Sequence, residues 1–153
     1  TFVLPEATVN EDTMYVPGTD GQKMSKSKGN LIDVFASEKE LKKQVMGILS
    51  DSKSLEEPKD PATDTTFALF KCLAPQDEVE NMSANYLAGN YGYGHAKKAL
   101  LDLIMQTFQE PRAKYEYFQN HPEMVEDALQ EGAKRARETA REVLDRVRTK
   151  VGF

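Results

Sequence analysis

Cysteine, histidine and long apolar runs are scarce in this chain, and each scarcity removes a class of chemistry. A single cysteine, Cys72, excludes an internal disulfide and fits a reducing compartment. In the run Phe67-Ala68-Leu69-Phe70-Lys71-Cys72-Leu73 it is expected among core residues as a small apolar group. The two histidines, His95 and His121, lie too far from each other and from Cys72 for a zinc site, so no metal site is expected. Both histidines are expected at the surface or in caps. No apolar stretch approaches the roughly 20 residues that span a bilayer, and no signal-peptide pattern opens the chain. A cytoplasmic location without a membrane partner is therefore expected. Repeats and low-complexity tracts are absent as well.

What is present points to helices. Of 153 residues, 39% are hydrophobic and 29% charged, and the mean hydropathy is −0.61. Such a balance suits a helical domain with long solvated faces better than a thick sheet core. The net charge of −5 argues against a nucleic-acid coat that works by bulk charge. Residues 134–150, however, carry seven basic against three acidic side chains, a local balance of +4. That face suits local steering of RNA. Equally it suits a solvated helix surface with intrahelical pairing, as between Glu138 and Arg141.

The chain divides near residue 35. Thr13-Met14-Tyr15-Val16 is expected as a short strand, stopped by Pro17-Gly18. Beyond Leu31 the pattern is helical. Ser37 with Glu40 predicts a capping-box start for a helix through about Leu49, with Leu41, Val45, Ile48 and Leu49 on one face. Asp60 is expected to cap a second helix with Pro61 at its first position, burying Phe67, Leu69, Phe70 and Leu73. A third follows Pro75 around Val79, Met82, Tyr86 and Leu87. Gly89-Asn90-Tyr91-Gly92-Tyr93-Gly94 predicts a tight interhelical turn, and a fourth helix runs from His95 to about Phe108. Tyr115, Tyr117 and Phe118 suit base stacking or, at helical spacing, a core. A last helix from His121-Pro122 carries an alanine-rich apolar stripe to the end of the chain, expected to pack closely against a neighbouring helix, with a bend expected at Gly132.

The chemistry concentrates in Lys23-Met24-Ser25-Lys26-Ser27-Lys28, which follows the turn-forming Pro17-Gly18-Thr19-Asp20-Gly21. Three lysines in six positions, with no acid among them, offer compact charges with three donors each. Serine hydroxyls and backbone N–H groups add neutral donors for phosphate oxygens. Such donors help a reaction most when they meet charge that develops in the transition state. The plain alternative is a solvated basic turn.

The order of residue types resembles the KMSKS signature of class I aminoacyl-tRNA synthetases, residue for residue over Lys23-Met24-Ser25-Lys26-Ser27. Its surroundings are similar to the tryptophanyl-tRNA synthetase branch: Pro17 to Gln22, Asp51-Ser52, Glu57-Pro58-Lys59-Asp60-Pro61, Tyr91-Gly92-Tyr93-Gly94 with Lys97, and the ending Val143-Leu144, Val147-Arg148, Val151-Gly152-Phe153. A catalytic domain of that class carries a His-x-Gly-His type motif, and neither histidine here lies in one. The chain, which opens on Thr1, is thus expected to be the C-terminal portion of a longer enzyme and inactive alone.

The resemblance implies a mostly α fold. Residues 1–35 would be the non-helical tail end of the catalytic nucleotide-binding domain, with the signature loop. Residues 36–153 would be a helical bundle, the C-terminal domain of anticodon-binding type. It implies ATP and tryptophan as substrates, Mg²⁺ beside ATP, tRNA(Trp) as partner, and a homodimer at full length. Lys23 and Lys26 would be catalytic, and Lys23, Met24, Ser25, Lys26 and Ser27 would bind ATP, with Met24 anchoring a mobile loop against the catalytic domain. Tyrosyl-tRNA synthetase, another nucleotidyl-transfer enzyme and a non-catalytic helical interaction module remain as alternatives.

Overall fold

Six α-helices account for most of the residues that the computed structural model describes, 3–8 and 15–152. They are α1 (Glu38–Met46), α2 (Thr65–Lys71), α3 (Gln76–Ala88), α4 (Tyr93–Thr107), α5 (Gln109–Asn120) and α6 (Pro122–Val151). The mostly α fold expected from sequence is what is found. Among the described residues the only β pairing is an isolated antiparallel bridge between Pro17 and Lys23. Of the expected strand, Thr13 and Met14 lie outside the described residues, and Tyr15 and Val16 are not in a strand. Among the described residues no helix is long and apolar enough to cross a membrane.

By backbone proximity the chain falls into two compact units. One comprises residues 9–112, the other residues 113–153 with the first eight. The lysine loop and α1 to α4 therefore share one unit, across the 35/36 boundary expected from sequence.

Local chemistry explains the helix starts in the first unit. The Ser37 hydroxyl accepts a hydrogen bond from the Glu40 N–H at 3.3 Å, as the capping pattern predicts. Glu38 and Glu40 also complement the positive end of the helix dipole. Helix α1 stops at Met46, not Leu49, because the Gly47 N–H already turns back to the carbonyls of Lys43 and Gln44. Leu49 is consequently exposed while Leu41, Val45 and Ile48 are buried.

Helix α2 starts four residues later than expected. Asp64, not Asp60, is its cap, and its carboxylate accepts from the Phe67 N–H at 2.7 Å. Asp60 instead folds back on the Ala62 N–H in a short side-chain turn. Cys72 is exposed rather than in the core, because α2 ends at Lys71 and turns the thiol onto the Ala68 carbonyl. Leu87 of α3 is exposed too.

The core forms where α4 packs on α1 and α2, and α2 on α3. Phe67, Leu69 and Phe70 from α2, Val79, Met82 and Tyr86 from α3, and Ala96, Leu100, Leu101 and Ile104 from α4 meet there. Full burial of a side chain such as Leu100 is worth about 2 kcal/mol. The Tyr86 ring meets Phe67 edge-on at 5.7 Å, and its hydroxyl donates to Asp64 at 2.9 Å. Burial, followed by the Asp64 charge, holds the Tyr86 phenol far above its ordinary pKa.

The segment between α1 and α2 is organised around a buried cation. Lys59 is only 2% exposed, and its ammonium donates to the carbonyls of Ser54, Leu55 and Glu57 at 2.9, 3.3 and 3.1 Å. The Tyr93 ring lies 5.2 Å from it. Three fixed dipoles and a ring face thus replace the water lost by the charge.

In the second unit α6 starts at Pro122, after His121, as expected, and runs unbroken through Gly132 to Val151. Neither α5 nor α6 buries a residue among those described. Tyr115, Tyr117 and Phe118 are half exposed and do not form the expected core. Tyr117 instead stacks near His121 at 4.4 Å and donates to the Met124 sulfur at 3.3 Å. The alanine-rich stripe of α6, expected against a neighbouring helix, is largely exposed.

Candidate functional site

The lysine loop leaves the Pro17–Lys23 bridge with the Met24 N–H bonded to the Val16 carbonyl at 2.9 Å. Residues Lys26–Lys28 then make one 3-10 turn, closed by Gly29 at φ +70°. A left-handed conformation of this kind favours glycine. Lys23, Lys26 and Lys28 are exposed. Neither the Lys23 nor the Lys26 ammonium has a hydrogen-bond or ion-pair partner among the described residues, so both remain available to an anion. Ser25 and Ser27 bond each other through their hydroxyls at 2.9 Å.

A buried asparagine pins this exposed loop from beneath. Asn30 is 3% exposed. Its side-chain oxygen accepts from the Ser25 N–H at 2.8 Å. Its side-chain nitrogen donates to the Asp20 carboxylate at 2.7 Å and to the Lys23 carbonyl at 3.2 Å. Its main-chain carbonyl accepts from the Thr19 N–H at 3.0 Å. The hydrogen bond donated by the Asn30 amide is the largest influence holding the Asp20 carboxyl below its usual range. Gly18 lies against this asparagine so closely that a Cβ there would stand 2.4 Å from its Cγ. The Leu49 N–H, bonded to the Thr19 carbonyl at 2.8 Å, ties the same turn to the end of α1.

Met24 secures the loop by packing. It is half-buried and lines an apolar cavity of about 310 Å³ with Val16, Ile32, Leu69, Leu100 and Ile104. Met24 is packed against the hydrophobic core of its own unit. The sequence thus placed Lys23, Met24, Ser25, Lys26 and Ser27 in one loop, and the structure keeps them together. It did not single out Asn30 or Asp20. The only sequence signal for them was the presence of two residue types that bond their own backbone in turns.

The other segments singled out from sequence form a second polar cluster within the same unit. The Tyr93 hydroxyl donates to Asp51 at 2.5 Å, which is the main cause of a depressed Asp51 carboxyl. Burial and then that bond hold the Tyr93 phenol far above its ordinary pKa. Lys97 donates to the Ile48 carbonyl at 2.6 Å, and burial lowers its ammonium pKa. These contacts join α4 to the end of α1, and they leave Lys97 committed to backbone. The Arg112 guanidinium is likewise committed, to the Val34 carbonyl. Among the described residues no group of three or more His, Cys, Asp or Glu side chains is placed to hold a metal ion. His95 is exposed and His121 caps α6, as expected.

The family model described as tRNA synthetases class I (W and Y) matches residues 1–109, a span that holds the lysine loop and α1 to α4. Two similar proteins are tryptophan–tRNA ligases. That of Rhodopirellula baltica is 47% identical over 153 residues, covering 100% of this chain and 48% of the relative. That of Fusobacterium nucleatum is 46% identical, covering 99% and 46%. A crystal structure of tryptophanyl-tRNA synthetase from Campylobacter jejuni, complexed with ADP and tryptophan, superposes with a TM-score of 0.88 at 41% identity, covering 99% of this chain and 48% of that one. The chain spans about half the length of the relatives it matches. A signature loop matched residue for residue, a family model over most of the chain and a superposable helical fold lead to one assignment: the chain belongs to the class I tRNA synthetases of the tryptophan and tyrosine (W and Y) family.

Proposed function

We propose that the chain is the C-terminal portion of a tryptophan–tRNA ligase, and that its lysine loop stabilises the departure of pyrophosphate. In the activation step the tryptophan carboxylate attacks the α-phosphorus of ATP. A new P–O bond forms as the bond to the β-phosphate oxygen breaks, and negative charge grows on the leaving pyrophosphate. Lys23 and Lys26 meet that charge, while Ser25, Ser27 and the loop N–H groups hold phosphate oxygens. A terminal ribose hydroxyl of tRNA(Trp), which the helical region contacts, then forms an ester with the aminoacyl carbonyl as the bond to the adenylate phosphate breaks and AMP leaves. On this reading residues 1–35 serve the catalytic domain and residues 36–153 form the C-terminal domain. The complete enzyme works as a cytoplasmic homodimer, and the chain alone does not charge tRNA. Among the described residues no carboxylate cluster is placed to hold Mg²⁺, so a magnesium ion would be carried by the ATP phosphates and would share their charge.

The observation that carries this reading is the exposed, unpartnered pair Lys23 and Lys26 on a backbone held from below by Asn30. The similarity to tryptophan–tRNA ligases favours tryptophan over tyrosine as the amino acid. ATP–pyrophosphate exchange by the full-length enzyme tests both points. Tryptophan, not tyrosine, supports exchange, and Lys23→Ala or Lys26→Ala slows it about 100-fold or more with little change in tryptophan KM. Unchanged rates in both variants refute the role of the loop. Tyrosine-dependent exchange refutes the choice of amino acid.

A further inference from the structure

The reach of Lys23 and Lys26 depends on where their backbone begins, and one side chain sets that origin. We propose that Asn30, latched onto the Asp20 carboxylate, is a positioning residue for the loop: through the Lys23 carbonyl and the Ser25 N–H it fixes the main chain from which the two lysines project toward the triphosphate. This rests on the assignment of the loop to pyrophosphate departure.

The hydrogen bonds are specific to an asparagine. Its amide supplies two donors and an acceptor. The donors go to Asp20 and to the Lys23 carbonyl, and the acceptor takes the Ser25 N–H. Reversing the amide would face N–H against N–H at Ser25 and oxygen against oxygen at Asp20 and Lys23, so the surroundings determine its orientation. An aspartate has no donor at neutral pH. A glutamine adds a methylene where the wall is Gly18, whose missing Cβ would already lie 2.4 Å from the Asn30 side chain. At 3% exposure the amide is retained in a site where water cannot substitute for these partners.

Each lysine stands within one residue of a gripped group. The carbonyl held is that of Lys23 itself, and Lys26 follows Ser25, whose N–H is held. Ser25 also leads directly into the 3-10 turn that carries Lys26. A positional error of about 1 Å in a charge-stabilising group costs about 100-fold in rate. Asn30 is buried beneath the loop, so its loss acts on the chemical step rather than on the affinity for tryptophan.

The test uses the full-length enzyme with Asn30→Asp, the double variant Asp20→Asn/Asn30→Asp, and Lys23→Ala in parallel. Asn30→Asp preserves size and the acceptor for Ser25, but it removes both donors and places two carboxylates together. The double variant restores a donor opposite an acceptor across the 20–30 pair. With circular dichroism unchanged, Asn30→Asp is expected to lower kcat for tryptophan-dependent pyrophosphate exchange about 10- to 100-fold, with tryptophan KM nearly constant. The double variant is expected to recover the part of that loss that comes from the 20–30 repulsion, while the Lys23 carbonyl still lacks its donor. Hydrogen exchange at the Ser25 amide should quicken in Asn30→Asp and slow again in the double variant. Wild-type kcat in Asn30→Asp overturns the proposal. So does a loss of kcat with no recovery in the double variant and no change at Ser25. Wild-type exchange in Lys23→Ala refutes the phosphate role instead, and the Ser25 amide still reports on the latch.

Discussion

Gly18→Ala probes the asparagine latch without touching a lysine. A Cβ at residue 18 would lie 2.4 Å from Asn30 Cγ, 2.5 Å from its Nδ2 and 2.6 Å from its main-chain oxygen. No rotamer change relieves all three contacts, because the last belongs to the backbone. Residue 18 is itself held, its N–H bonded to the Gln22 carbonyl at 2.7 Å. Asn30 must therefore withdraw as a unit and release the Ser25 N–H and the Lys23 carbonyl. Two hydrogen bonds at about 1 kcal/mol each, and a buried amide left incompletely paired at about 1–2 kcal/mol, give a loss of about 3–4 kcal/mol. The lost bond to Asp20 adds little to that figure, because the exposed Asp20 carboxylate regains water and the stranded Asn30 amide is already included. Gly29→Ala is the comparison. Its φ is +70° with open space around it, so only the left-handed backbone resists, at about 1 kcal/mol. Urea unfolding of the 153-residue chain, followed by circular dichroism, measures both. A cost for Gly18→Ala no greater than that for Gly29→Ala refutes the close packing of residue 18 on the latch.

Two further outcomes are expected. Tyr86 and Tyr93 have phenol pKa values raised in the fold, so their contribution is fully present below the unfolded value of about 10 and is lost as pH rises toward the folded values. Urea midpoints should therefore fall above about pH 10, and Tyr86→Phe should flatten that fall; an unchanged slope counts against the burial of this phenol. In α6, Gly132→Ala meets nothing within 4 Å and should stabilise by about 0.5–1 kcal/mol in a thermal melt, whereas a loss would show that the helix needs a bend there.

Legibility from sequence followed the range of the interactions. Ser37 and Glu40 mark the start of α1 because a cap involves residues three apart. The start of α2 is ambiguous in sequence because Asp60 and Asp64 are equally good capping types. What separates them is that Asp64 also receives the Tyr86 hydroxyl, from 22 residues away. The ends of helices near Gly47 and Cys72 shifted Leu49 and the thiol out of the core by less than one turn of periodicity. Periodicity likewise revealed the apolar stripe of α6 but carries no information on what covers it. At the site, residue order gave the chemistry of Lys23 to Ser27. The latch joins residues 20, 23, 25 and 30 through one amide, and no local pattern encodes such convergence.

Lys59 changes what the segment between α1 and α2 requires of its surroundings. A ring of inward-pointing carbonyls is the coordination shell that proteins offer to a monovalent or alkaline-earth ion. Here the ion is supplied by the chain, tethered by its own side chain to carbonyls two, four and five residues away in sequence. The segment is in effect a self-loaded cation site. It needs no ion from solution, is indifferent to chelators, and cannot be emptied without changing a covalent bond. Neutralising that one amine by acylation would therefore act on this stretch as metal removal acts on a calcium loop, unfolding it from the inside while leaving its surface sequence intact.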